Sequence, residues 1–154
     1  MISAELGEPA VRRAAIARAS TWTPSWFLAC RLVGAAGVAA SGAIHFQLWT
    51  SGYSVIAVIG PLFLLDAIGS WLVALTLLAT RFRVVAAAAI LIELGAIAGL
   101  ALASTVGIFG FQESGSGVGG QIMAAYGTEA LAVILLAASL ALGPGGLGRR
   151  VRGG

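Results

Sequence analysis

Four long apolar runs dominate the chain, at about residues 27–49, 55–79, 84–107 and 121–142. Each holds roughly 20 residues or slightly more, and about 20 helical residues cross a 30 Å hydrocarbon core. Within a bilayer, a spanning segment must satisfy its own backbone polar groups, so each run is predicted to be a helix. The breaks between runs are short and polar or glycine-rich: Thr50-Ser51-Gly52, Thr80-Arg81-Phe82-Arg83, and Glu113 followed by a Gly/Ser stretch to Gly120. Short connections make neighbouring helices antiparallel. The expected fold is an all-α, membrane-spanning, antiparallel four-helix bundle over residues 25–142. A basic segment (1–24) precedes it and an Arg/Gly tail (143–154) follows it.

The flanking residues set the expected orientation. All nine basic residues are arginines. Arg12, Arg13, Arg18 and Arg31 precede or open the first span, Arg81 and Arg83 separate the second from the third, and Arg149, Arg150 and Arg152 follow the fourth. The other two loops hold no basic residue, so every positive charge falls on one side. The positive-inside rule makes that side the cytoplasm, in a plasma (inner) membrane, with both termini cytoplasmic. Trp49, Tyr53, Phe109 and Phe111 form an expected aromatic belt on the opposite side. Residues 1–24 read equally as a surface-lying amphipathic helix or as a disordered basic tail.

Composition agrees: 59% of residues are hydrophobic and 10% charged, against about 25% charged in an ordinary soluble domain. The net charge of +3 does not signal nucleic acid, because the arginines sit at termini and in one loop without interleaved aromatics. A single cysteine, Cys30, precludes an intrachain disulfide framework. Val38-Ala39-Ala40 has the form of a signal-peptidase site, but the apolar run continues well beyond it, so the first span is expected to be retained. Gly37-x-x-x-Ser41 in the first span and Gly95-x-x-x-Gly99 in the third are small-xxx-small patterns, expected to pack helices within the chain, with homodimerisation as the other use.

One ionisable residue lies well inside each span: His45, Asp66, Glu93 and Glu129. Such residues are costly in lipid and normally face a bundle interior or a cavity. At about 1.5 Å per residue, His45, Glu129 and Asp66 lie roughly 6, 12 and 16 Å in from the outer side, and Glu93 roughly 14 Å in from the inner side. The set therefore runs from the outer face to the midplane, and the inner half is almost purely apolar. That pattern disfavours a through-membrane proton route. It leaves a polar structural core or a site open to the outside. Three carboxyls face one possible cation, His45, unless Arg31 reaches up to them.

No catalytic constellation stands out. There is no Ser-His-Asp order, P-loop or dinucleotide fingerprint. One histidine cannot supply bis-His haem ligation, and His45 with Glu129 or Glu113 lacks a diagnostic metal spacing. The cofactor is left open.

Four segments carry a resemblance: Gly42-Ala43-Ile44-His45-Phe46, Gly60-Pro61-Leu62-Phe63-Leu64, Thr105-Val106-Gly107-Ile108-Phe109-Gly110-Phe111, and Glu129. Over most of 27–142 the chain resembles a family of small four-span membrane proteins of actinobacteria. The resemblance implies the four-span fold and singles out His45 and Glu129, whereas Asp66 and Glu93 have no place in the family pattern. It implies no activity. Two functional readings follow. The first is a non-enzymatic accessory or interaction subunit in the lipid bilayer, partnered by another membrane protein or a second copy. The alternative is a membrane site for a small ligand, redox cofactor or metal, lined by the four ionisable residues.

Overall fold

A computed structural model describes residues 25–113 and 119–143. The expected surface helix or tail over 1–24, most of the Gly/Ser stretch and the Arg/Gly tail beyond 143 lie outside the described residues. Among the described residues are four α-helices: α1 (Ser25–Thr50), α2 (Ile59–Ala79), α3 (Arg83–Thr105) and α4 (Gly119–Leu142). All four are long and apolar enough to cross a membrane. The shortest has 21 residues, roughly 32 Å at about 1.5 Å per residue.

The second helix starts at Ile59 and not at Val55. Gly52 turns the chain with φ 123°, a one-turn 3-10 helix follows at Tyr53–Val55, and Ile56 is extended. Pro61 has no N–H to donate, which suits it to a helix's first turn and not to its interior. The third helix ends at Thr105, short of the expected Gly107, whose φ of 83° breaks the helical geometry.

Helix α1 packs along both α2 and α4, and α4 packs along α3. The α2–α3 seam is slacker, and α1 barely meets α3. One end of the bundle, here the arginine end, has a dense small-residue core. Two residues from each helix form it: Ala35 and Val38, Ala74 and Leu77, Ala86 and Ala89, Ala132 and Leu136. Glycine permits the close α1–α4 approach. A Cβ on Gly37 would lie 3.1 Å from Ala132 Cβ, and one on Gly34 would lie 2.9 Å from the Leu136 side chain.

Arginines close this end. Arg31 is buried, and its Nε donates to Leu77 O (3.1 Å) while Nη2 donates to Thr80 O (2.8 Å). Arg83 Nη2 donates to Leu140 O (2.9 Å). The last carbonyls of a helix lack intrahelical partners, and these guanidinium groups fill them at the ends of α2 and α4. Arg31 is thus committed to α2 and does not reach the carboxyls. The outer surface of the bundle is apolar, with Leu65, Leu91 and Ile134 each more than 60% exposed.

Candidate functional site

The four ionisable side chains converge on one another near the middle of the bundle. Helix α1 contributes Ser41 and His45, one turn apart; α2 contributes Asp66 and Ser70, one turn apart; α3 contributes Glu93 and α4 Glu129. All but Asp66 are buried, and Glu93 and Glu129 are 0% exposed. This heptad-free pattern works because each residue sits on the inward stripe of its helix. Residues one turn away on the same stripe, such as Ala89 and Ala125, are also buried.

His45 is the hub. Its Nδ1 lies 3.0 Å from Ser41 O and 3.2 Å from Asp66 Oδ2. A carbonyl oxygen only accepts, so Nδ1 carries the hydrogen it donates to Ser41 O. The other ring nitrogen, Nε2, points to Glu129 Oε1 at 3.8 Å. Glu93 faces Ser41, Asp66 and Glu129. Ser41 Oγ lies beside the Glu93 carboxyl.

Unfilled polar atoms define this cluster. Ser41 Oγ, Ser70 Oγ, Asp66 Oδ2, and both carboxyl oxygens of Glu93 and of Glu129 are buried without a hydrogen-bond partner. Each unfilled buried acceptor costs about 1–3 kcal/mol. A purely structural polar core would be expected to close its own bonds, as the arginine end does.

Next to the cluster lies a cavity of about 420 Å³ between α2 and α3. His45 and Asp66 open onto it. Its walls are Leu62 and Leu65 on one side and Leu91 and Leu100 on the other. Leu65 and Leu91 are also exposed, so the cavity reaches the outer surface of the bundle. Gly69, Gly95 and Gly99 line it too, and a Cβ at any of them would meet nothing within 4 Å. Within the described residues, no neighbouring helix comes close to Gly95 or Gly99. Small residues allow close approach without causing it, and here they leave a void. Gly37 and Ser41, by contrast, lie on the face of α1 that is tightly covered.

Aromatic rings run from the cluster to the far rim. His45 meets Phe63 edge-on with centroids 5.4 Å apart, Phe63 meets Tyr53 at 5.2 Å, and Tyr53 meets Phe111 at 5.9 Å. Tyr53 also donates its hydroxyl to the Glu113 carboxylate. Ile108 and Phe111 pair across a two-residue turn in which Phe109 (φ 51°) and Gly110 (φ 76°) are both left-handed. Ile108, Phe111 and Glu113 line the cavity's mouth. Sequence reasoning placed Tyr53 and Phe111 only in an aromatic belt and missed this arrangement. Three glycines on two helices, with bulky residues around them, were the available signal for the void.

Among the described residues, no group of three or more His, Cys, Asp or Glu side chains has the arrangement of a metal site. No family model matches the chain, and no curated protein or solved structure matches it.

Proposed function

We propose that this chain is a four-span plasma-membrane protein, antiparallel, with both termini cytoplasmic, that binds a small amphiphilic ligand in the α2–α3 cavity. The orientation is supported by the arginine pattern. The resemblance to small actinobacterial four-span proteins supports the same topology. The observation that carries the binding reading is the junction of the cavity with the cluster. An apolar space of about 420 Å³ is lined by His45 and Asp66, beside buried carboxyl oxygens that accept no hydrogen bond from the described residues. Small-molecule sites are mostly apolar, of about 300–1,000 Å³, with a few convergent polar groups. The proposal is for binding alone; among the described residues no nucleophile–base pair is assembled. An interaction subunit remains the second reading, favoured by the open Gly95/Gly99 face, which fits a partner helix.

Native mass spectrometry of the full chain, solubilised mildly from the membranes that produce it, tests the proposal. The expected result is a non-covalent small-molecule adduct that disappears in Gly99→Phe. Identical adduct-free spectra for both proteins would overturn it.

A further inference from the structure

The chemistry of the cavity's inner end narrows the ligand. We infer that the cavity takes a hydrophobic organic amine in its protonated form, with the ammonium against Asp66 and the apolar body along the α2–α3 seam. This rests on the ligand-binding reading above.

Of the three carboxyl groups in the cluster, Asp66 alone lines the cavity, and its ionised carboxylate only accepts hydrogen bonds. A ligand group that meets it is therefore a donor. Asp66 has the His45 imidazole beside it, and Arg31 is committed to the α2 carbonyls at the other end. A neutral ligand would fill the space without an ion pair to Asp66. An anion would meet a like charge there. A protonated amine supplies N–H donors and a positive charge together, and charge-assisted bonds are about twice as strong as neutral ones.

The walls agree with this choice. Phe63 lines the cavity beside His45, and aromatic faces attract cations within about 6 Å of the ring centre. Leu62, Leu65, Leu91 and Leu100 offer only hydrocarbon to the rest of the ligand. The outward exposure of Leu65 and Leu91 lets an amphiphile arrive laterally from the lipid. Its amine would travel toward the carboxyls and its apolar part would stay among the leucines.

Equilibrium dialysis on the full chain in lipid nanodiscs, with protein-free nanodiscs as background, separates the alternatives. The probes are 1-adamantylmethylamine and its near-isosteric alcohol, 1-adamantanemethanol, at pH 7. The expected result is saturable binding of the amine at one per chain, with the alcohol at least about tenfold weaker, the scale of one charge-assisted hydrogen bond. Asp66→Asn should weaken the amine about tenfold or more and leave the alcohol unchanged. Gly99→Leu fills the cavity and should abolish both. Should Asp66→Asn fail to give a folded, monodisperse protein, Asp66→Ser takes its place with the same expectation.

Equal binding of amine and alcohol, both lost in Gly99→Leu, overturns the amine inference and keeps the ligand site. An adduct in native spectra that the amine does not displace does the same. No saturable binding of either probe, with no native adduct, overturns both. A dimer that Gly99→Leu dissociates, without amine binding, assigns the groove to a second copy and also overturns both.

Discussion

The two ends of this bundle solve the same problem in opposite ways. At the arginine end, polar groups are few and their visible partners are in place. Arg31 and Arg83 close the carbonyls of α2 and α4, and two small or branched residues from each helix fill the space between. Beyond the middle, the helices part at the α2–α3 seam, a void opens, and seven buried polar atoms have no hydrogen-bond partner among the described residues. The same chain can close its bonds, so leaving them open at one place is local. Natural proteins keep few unfilled buried polar groups, and clusters of them call for an explanation such as a ligand or ion. The arginine end supplies the rigidity against which such a site can be held.

The largest test of this contrast puts the same side chain at both ends. Gly37→Leu drives a side chain into Ala132 Cβ and Thr128 O, which already lie 3.1 and 3.4 Å from an ideal Cβ. Overpacking of this kind should cost about 3 kcal/mol. Gly99→Leu meets nothing within 4 Å, and leucine exceeds glycine in helix propensity by somewhat under about 1 kcal/mol. It should leave stability unchanged or slightly raised. Unfolding of both variants by titration from mild detergent into dodecyl sulfate measures the difference. Equal losses would mean that the α2–α3 seam closes around Gly99 and that the two ends are packed alike.

The second test compares polar groups. Arg31→Leu keeps the apolar stem and removes the donors to Leu77 O and Thr80 O. Two carbonyls lose their partners, and the loss should be about 2 kcal/mol, since hydrogen bonds in membranes are worth about 1 kcal/mol on average. Glu93→Gln should act in the opposite direction. Its carboxyl is fully buried with both oxygens unfilled, and the amide removes a buried acid while adding two donors toward Ser41, Asp66 and Glu129. A gain of about 1 kcal/mol is expected, in the range seen when a functional polar site is relaxed. Destabilisation by Glu93→Gln as large as that of Arg31→Leu would make the carboxyl a structural member of the core.

What the sequence could tell divides along the same line. The spans were legible because hydrocarbon thickness dictates their length, and a run of apolar residues is a positive signal. The start of α2 was not, because Val55 to Val58 continue the apolar run. Only Gly52's φ and the proline at 61 reveal the break. His45, Asp66, Glu93 and Glu129 stood out because ionisable residues in lipid are costly. Their convergence depends on helix rotation, which one residue per span leaves undetermined. Arg31's destination was hidden because its acceptors are backbone atoms 46 and 49 residues away, which no residue type announces. The cavity was hidden for a deeper reason. Gly95 and Gly99 mark both a tight contact and a void with the same letters, and only the neighbour's position separates them.

The smallest expected effect concerns the clasp at the cavity's mouth, where Tyr53 donates to Glu113 and joins the turn before α2 to the segment after α3. Burial, then the bond to Glu113, then the negative charge of Glu113 push the Tyr53 phenol above its ordinary value of 10.0. The folded chain therefore holds this proton more tightly than the unfolded one. Its contribution is fully present below about pH 10 and is lost as pH rises from there through the folded value. Tyr53→Phe removes the bond and should cost about 1 kcal/mol at pH 7. Above pH 10 the wild-type protein should lose stability more steeply than Tyr53→Phe, so that their unfolding midpoints converge. Parallel midpoints across that range would show that the clasp carries no linkage, and that the slack end of the bundle is held by its helices alone.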